Sequence, residues 1–292
     1  MNSKQAVVNK ILTFSCVDGP GNRLVIFFHG CNFQCQACHN PYTMSLCNHC
    51  GDCIEVCPDA ALSLGEDGKV QWHRDLCTHC DKCLDICPIS ASPMTTGYSA
   101  TDLIEIIREN QPFISGITFS GGEATVQLPF LINLLKQLRS DPGLSQLNCL
   151  LDTNGSLGSE GWFRLLPYLD GVMLDLKSWH SDRHKLLTGA SNSKVKNSLE
   201  LLAAANKLVE VRLLLIPEQT DYEDYLVALC ETLRDLPEET TVRINGFHHH
   251  GVRGIAKAWP NATRDQVESF AQQLQSQGIN KLALPSVYLE NL

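Results

Sequence analysis

From about Ser99 onward the chain alternates short apolar runs with longer stretches of helical period. GITFS (116–120), LNCLLD (147–152), GVMLDLK (171–177), VEVRLLLI (209–216) and TVRINGF (241–247) are nearly continuous in apolar residues. Such runs predict strands buried on both faces, as in a parallel sheet. NRLVIFF (22–28) predicts a sixth, while LPFLINLLKQLRS (128–140), SKVKNSLELLAAANK (193–207) and YEDYLVALCETLRD (222–235) predict helices between strands. Six strands, each followed by a helix, imply an α/β fold with right-handed crossovers. Chemistry in such folds sits at the C-terminal ends of the strands.

Polar residues gather at those ends: SGGE (120–123), DTNG (152–155), DLK (175–177), RLLLIPE (212–218) and GFHHHG (246–251). Singly, each reads as a turn or a cap. Five on successive strands read as a functional rim. The stretch from 41 to 97 breaks the rhythm: it holds eight cysteines and a hairpin candidate, ALSLGEDGKVQWH (61–73), turning near Asp67-Gly68. The expected organisation is a barrel segment at 1–40, an inserted module at 41–97 and the rest of the barrel at 98–292.

At 292 residues and 43% hydrophobic, the chain can bury a large core, which excludes disorder. The net charge of −9 argues against a nucleic-acid backbone as partner. No apolar run approaches membrane-spanning length and the first ten residues carry no apolar signal core, so the expected compartment is the reducing cytoplasm. Eleven of the fourteen cysteines lie at gaps of two or three residues, which suits metal centres better than disulfides.

CNHCGDCIEVCP (47–58) and CTHCDKCLDICP (77–88) share the spacing C-x2-C-x2-C-x3-C-P. In two-cluster ferredoxins the fourth cysteine of each run ligates the other cluster. Cys47, Cys50, Cys53 and Cys87 are thus expected to hold one [4Fe–4S] cluster, and Cys77, Cys80, Cys83 and Cys57 a second. A pair of zinc sites is the rival reading. His49 and His79 read as spacers. The remaining group is C-x3-C-x2-C, at Cys31, Cys35 and Cys38, after a strand ending FFHG. Three thiolates leave one iron open, and an open metal position marks a catalytic site. Cys149 in a strand and Cys230 in a helix read as small buried hydrophobes; Cys16 has no assignment. Arg212 interrupts an apolar strand, where an unpaired charge is costly. Asp175 and Lys177 are read either as a strand-end salt bridge or as site residues.

CNFQCQAC (31–38) with SGGE resembles the radical S-adenosylmethionine (SAM) superfamily. VDGPGNR (17–23) with FFHGCNFQCQACHNP (27–41) narrows the resemblance to glycyl-radical enzyme activating enzymes, in the subgroup with a ferredoxin-like insert. It covers nearly the whole chain and implies a partial (β/α)6 barrel with an inserted domain holding two [4Fe–4S] clusters. It further implies that SAM chelates the open iron of the Cys31/Cys35/Cys38 cluster, and that Gly121, Gly122 and Glu123 bind its methionyl amino group. Ala124 stands where many members have proline. By the same resemblance Asp152, Thr153, Asp175 and the Met173 carbonyl line the SAM pocket and hold a monovalent cation. Lys177 and Arg212 would pair with the SAM carboxylate or with the partner's backbone, and His248 would contact SAM. His249 and His250 are left to an exposed loop. Ala37 replaces the usual aromatic beside the adenine, with Phe33 as the candidate to fill that space.

The implied reaction is one-electron cleavage of SAM to methionine and a 5′-deoxyadenosyl radical, which takes hydrogen from a backbone glycine of a partner enzyme. The implied partners are a glycyl-radical enzyme and a flavodoxin or ferredoxin-type reductant, with no nucleic acid, no membrane and a chain monomeric on its own. Two rivals stand beside this reading: a radical SAM enzyme acting on a small molecule or peptide, and a non-enzymatic iron–sulfur electron carrier.

Overall fold

The computed structural model describes residues 4–286 and 288; the outermost residues of both expected barrel segments lie outside the described residues. The chain divides into two compact units, Met1–Asn32 with Asn40–Leu147, and Phe33–His39 with Asn148–Leu292.

The first unit starts with β1 (Gln5–Ser15) and β2 (Arg23–Phe28). A cysteine-rich stretch follows, with α1 (Asp52–Glu55), β3 (Leu62–Leu64), β4 (Val70–Trp72) and α2 (Lys82–Ile86). The chain then returns through β5 (Thr96–Ser99), α3 (Ala100–Asn110), β6 (Gly116–Gly121) and α4 (Leu128–Ser140). The strand order is β5-β1-β2-β6. β2 and β6 are parallel from Arg23↔Gly116 to Phe28↔Gly121, whereas β1 is antiparallel to both β2 and β5. Ser99 and Asp102 form a capping box that starts α3.

The DGPGNR segment has a structural job at the entry to β2. Arg23 is 1% exposed, and its guanidinium donates to Thr118 Oγ1 (2.6 Å) and to the Ile117 carbonyl (2.6 Å). A buried cation is tolerable when its donors are met.

Within the cysteine-rich stretch β3 and β4 form the expected hairpin, paired from Leu62↔Trp72 to Leu64↔Val70, with Gly68 left-handed at the turn (φ 72°). Its core is Cys53, Leu62, Val70, Cys83 and Leu84, flanked by Tyr42, Trp72 and Met94. The two four-cysteine runs are structural repeats thirty residues apart. His49 and His79 are both left-handed (φ 59° and 55°), as are Gly51 and Asp81 (91° and 58°) and Ala60 and Ser90 (49° and 51°). The Ala61 and Ala91 amides donate to Cys57 and Cys87 Sγ, each at 3.3 Å.

The second unit is βα throughout: β7 (Asn148–Thr153), α5 (Ser159–Leu165), β8 (Gly171–Leu176), α6 (Ser181–Thr188), α7 (Ser193–Ala204), β9 (Leu208–Leu215), α8 (Leu226–Arg234), β10 (Thr241–Gly246), α9 (Arg264–Ser276) and β11 (Leu282–Ala283). The order is β11-β10-β9-β8-β7 and every pairing is parallel.

All six expected strands form, each end within one residue of its sequence reading, and α4 spans the expected 128–140. β1, β5 and β11 were not expected. β1 shows no clean alternation because two register shifts, at Val8/Lys10 and Leu12/Ser15, scramble its period. Cys149 and Cys230 are buried, and Cys16 is exposed. No described helix is long and apolar enough to cross a membrane.

Candidate active site

The three-cysteine loop leaves β2 through His29, which is 1% exposed, with ring contacts to Asn9 Oδ1 (2.6 Å) and the Ser45 carbonyl (2.7 Å). Gly30 and Cys31 donate their amides to the Thr43 and Met44 carbonyls (2.8 and 3.0 Å). In the second unit, Gln34 and Gln36 donate to the Thr188 and Leu187 carbonyls (2.8 and 2.9 Å). Those carbonyls end α6, where the helix offers them no partner, and Gly189 closes it left-handed at φ 79°. The loop thus takes up the free end of a helix. Phe33, the candidate for the adenine contact, is 3% exposed and meets His184 edge-on at 5.5 Å. Ala37 packs against Leu187, Ile216, Phe247, Val252, Ala256 and Trp259.

In the first unit, SGGE follows β6. A Cβ on Gly121 would overlap the backbone of Phe28, and one on Gly122 would overlap the carbonyls of Gly30 and Thr43. The glycines let Gly122 donate to the Phe28 carbonyl (2.9 Å) and Glu123 to the Gly30 carbonyl (2.8 Å). Their first role is therefore to stitch the end of β6 to the start of the cysteine loop. Glu123 is 1% exposed, and its Oε1 accepts from the amide and hydroxyl of Thr125 (3.1 and 2.6 Å). Ala124 is fully buried.

The second unit places Asp152, Met173, Asp175 and Arg212 on neighbouring strands, with Asp152↔Met173 and Asp175↔Arg212 in register. Arg212 does not stand unpaired. It donates to Glu210 Oε1 (2.6 Å), Asp152 Oδ1 (2.8 Å) and Met173 Sδ (3.2 Å), and Glu210 also accepts from Arg243 (2.9 Å). Burial works against the charge on Arg212, but Asp152, Asp175 and Glu210 outweigh it, and its pKa lies above the ordinary arginine value. Lys177 donates to Asp175 (2.8 Å). Burial opposes this charge too, and Asp175, with the thiolates of Cys35 and Cys38, overcomes it and raises the pKa. For Asp175, burial works upward, yet Lys177 and Arg212 hold its carboxyl below the usual range. Thr153 Oγ1 accepts from the Gly155 amide (3.1 Å). Both expected cation-binding carboxylates are thus committed to a guanidinium and an ammonium.

His248 lies beyond β10. It stacks on His39 at 4.2 Å, and its Nδ1 is buried without a hydrogen-bond partner among the described residues. Burial, then the neighbouring His250 and His249, lower its pKa, so the imidazole is neutral. Gly251 is left-handed (φ 75°), and a Cβ there would overlap the His39 carbonyl, which explains the glycine three positions after His248. His249 is not in an exposed loop: half-buried, its ring Nε2 meets the Trp259 carbonyl. His250 is exposed. Two residues escaped sequence reading. His39 had a signal in its place beside Cys38. Asp221 had none; its carboxylate accepts from Ser178 Oγ and the Trp179 and His180 amides (2.8 Å each), fixing the turn after Lys177.

In the cysteine-rich stretch, Cys47, Cys50, Cys53 and Cys87 line a cavity of about 280 Å³, whose wall Cys83 also reaches. Cys57, Cys77, Cys80 and Cys83 line a second of about 320 Å³, with Trp72 and Met94. Burial, with Cys47 beside it, pushes the Cys53 thiol up to about 11; burial, with Cys53 and Asp81, pushes Cys83 to about 12. Among the described residues no three His, Cys, Asp or Glu side chains close on a single-ion position.

Residues 25–233 match the radical SAM superfamily. The chain is 31% identical to the choline trimethylamine-lyase activating enzyme of Oleidesulfovibrio alaskensis, over 86% of each chain. It is 31% identical to the trans-4-hydroxy-L-proline dehydratase activating enzyme of Clostridioides difficile, over 88% of this chain and 89% of that one. Among solved structures, QueE from Escherichia coli shares the fold, with a TM-score of 0.53 at 14% identity over 97% of this chain and 95% of that one. The chain belongs to the radical SAM superfamily and, within it, to the glycyl-radical enzyme activating enzymes.

Proposed function

We propose that this activating enzyme works with three [4Fe–4S] clusters, one open to SAM and two closed. The open cluster, when bound, supplies the electron that splits SAM into methionine and a 5′-deoxyadenosyl radical, which takes hydrogen from a backbone glycine of the glycyl-radical enzyme. Cys31, Cys35 and Cys38 hold that cluster in this reading. The Gly121-Gly122-Glu123 segment takes the methionyl amino group, and Lys177 and Arg212 face the methionyl carboxylate or the partner's backbone. Lys177 and Arg212 supply cationic charge at this rim, paired with Asp175 and Asp152, and Asp152, Thr153, Asp175 and the Met173 carbonyl would hold a monovalent cation beside them. His248, neutral and with a buried Nδ1 free to accept or donate, contacts SAM.

The observation that carries the three-cluster reading is the crossing of the cysteines. The first three cysteines of each run share a cavity with the last cysteine of the other run, Cys83 reaching both walls, in keeping with the two-cluster ferredoxin pattern. Zinc would draw four thiolates onto one point at about 2.3 Å, whereas among the described residues no three such side chains converge on one position. The insert at 41–97 is then a ferredoxin-like domain that relays electrons from a flavodoxin or ferredoxin-type reductant or helps dock the partner enzyme. The acidic chain, with −9 net charge, acts as a cytoplasmic monomer without nucleic acid.

The test is anaerobic reconstitution, iron and sulfide analysis, and reduction with SAM present. Iron for three clusters and formation of 5′-deoxyadenosine are expected, followed by a glycyl-radical EPR doublet when the partner is added. Iron for a single cluster sinks the three-cluster reading; 5′-deoxyadenosine with no doublet from any glycyl-radical partner favours a small-molecule substrate.

A further inference from the structure

The two four-cysteine runs share their left-handed turns and amide-to-Sγ contacts, yet one polar atom beside the second has no evident counterpart. Trp72, the last residue of β4, lines the cavity of Cys57, Cys77, Cys80 and Cys83. Its indole Nε1 is buried and has no hydrogen-bond partner among the described residues. An indole N–H only donates, and a buried donor without an acceptor is unfavourable. Protein groups around it do not relieve this. It packs against the core of Cys53, Leu62, Val70, Cys83 and Leu84, as Tyr42, Ile54, Cys57 and Met94 also do, and the ring of His79 stands across at 6.3 Å. The cavity wall carries the sulfurs of four cysteines and Met94 beside the oxygens of Asp59, Thr78 and Asp81, and Trp72 Nε1 is bonded to none of these oxygens. Thirty residues earlier the repeat has Tyr42, which packs on the same core but is not in the wall of the other cavity.

We propose that Trp72 donates its indole N–H to a sulfur of the cluster held by Cys57, Cys77, Cys80 and Cys83, and so raises that cluster's reduction potential. The inference rests on the reading that these cysteines carry a [4Fe–4S] cluster. The physical basis is charge. Reduction adds an electron, much of whose density falls on the sulfurs, so a donor aimed at them favours the reduced form more than the oxidised form. Hydrogen bonds to sulfur are one of the levers that set these potentials. The donor comes from a hairpin strand, pinned by the ladder Leu62↔Trp72 and by the Val70 amide bonded to His49 Nδ1 (3.2 Å). It is therefore held in place before the cluster is reduced. Trp72 is a tuning residue; it ligates nothing.

Trp72→Phe keeps the ring and removes the N–H. In the reconstituted full chain, EPR-monitored redox titration should show one auxiliary cluster harder to reduce, with its equilibrium shifted about tenfold, or about 59 mV for one electron. Iron content and the other two potentials should stay as in the wild type. An unchanged potential at full iron content overturns the proposal while leaving the cluster assignment intact. Iron content in the wild type fit for one cluster alone overturns both, and the iron analysis tells these failures apart. A second measurement needs no variant: with indole-15N tryptophan in the wild type, electron-nuclear double resonance on the reduced auxiliary clusters should show a 15N coupling. Trp162, whose Nε1 already donates to Ser198 Oγ at 2.7 Å, has no such role. Absence of the coupling overturns the proposal even if Trp72→Phe fails to fold.

Discussion

In each four-cysteine run the backbone closes on itself within a few residues. Cys57 donates to Ile54, Ala60 to Cys57 and Ser90 to Cys87, and the Ala61 and Ala91 amides turn back onto Cys57 and Cys87 Sγ. In the three-cysteine loop most of the backbone partners are remote. Cys31 is tied to Met44, Gln34 and Gln36 to the end of α6, and the carbonyl of His39 lies against Gly251. A run with local closure carries its ligand geometry in its own spacing and needs only a small core to hold it. A loop held by distant backbone has its geometry set by the finished fold. That suits the two tasks. A closed relay cluster needs four ligands and insulation; an open one must be placed against strand ends that present its co-substrate.

The sharpest test of this contrast is Cys35→Ala. In the proposed assignment it removes one of three ligands from a cluster with no spare, so 5′-deoxyadenosine formation should fall to the level of a protein-free control, with both auxiliary EPR signals retained. Retained cleavage would break the comparison at its root. The next effect is smaller and tests the crossing. Cys57→Ala and Cys80→Ala, though in different runs, should erase the same EPR signal, and Cys53→Ala should erase the other. With dithionite as direct reductant, SAM cleavage should persist in all three. Glycyl-radical yield with the physiological reductant should fall by about tenfold or more, because relay depends on intact clusters. Loss of different signals in Cys57→Ala and Cys80→Ala would refute the crossed ligand sets.

Much of this was legible in the sequence, for physical reasons that also mark where legibility ends. Strands such as β8 and β9 are buried on both faces and so read as apolar runs. β1, bulged twice, does not. The cysteine spacing pointed to the proposed ligand sets because closure there is local. Arg212 was flagged by its misplaced charge. One partner, Glu210, sits two residues away on the same face of β9 and was readable from strand period alone; Asp152, on another strand, was not. The glycines of SGGE were read as making room for a ligand, whereas they first make room for Phe28, Gly30 and Thr43. Asp221 and His184 had no local signal because their partners are met only in the folded chain.

His184 offers the finest test of how the three-cysteine loop is held. It is fully buried in α6, donates Nδ1–H to the Ala190 carbonyl (2.7 Å), lies 3.1 Å from Thr188 Oγ1 and packs on Phe33. It therefore braces the residues whose carbonyls hold Gln34 and Gln36. Its Nε2 is buried without a hydrogen-bond partner among the described residues. Burial lowers its pKa from the ordinary 6.5, the Ala190 bond pulls the other way, and nearby Lys177 lowers it further while Asp221 raises it. Below about pH 6.5 the unfolded chain binds a proton at this ring that the folded chain refuses, so this group's stabilisation, complete above pH 6.5, declines as pH falls towards the lower folded value. The limit is about 1.4 kcal/mol per pH unit. His184→Gln keeps a donor for Ala190 and removes the titration. Anaerobic thermal unfolding of the loaded enzyme should show a shallower loss of stability between pH 6.5 and 5 in the variant than in the wild type. The open-cluster EPR signal at pH 8 should be unchanged. Parallel pH slopes would show that the ring is not the titrating group, and a broadened open-cluster signal at pH 8 would show that glutamine cannot replace the brace. The first result would remove the pH argument alone, whereas the second would tie the geometry of the open cluster to a helix end that its own cysteine spacing does not encode.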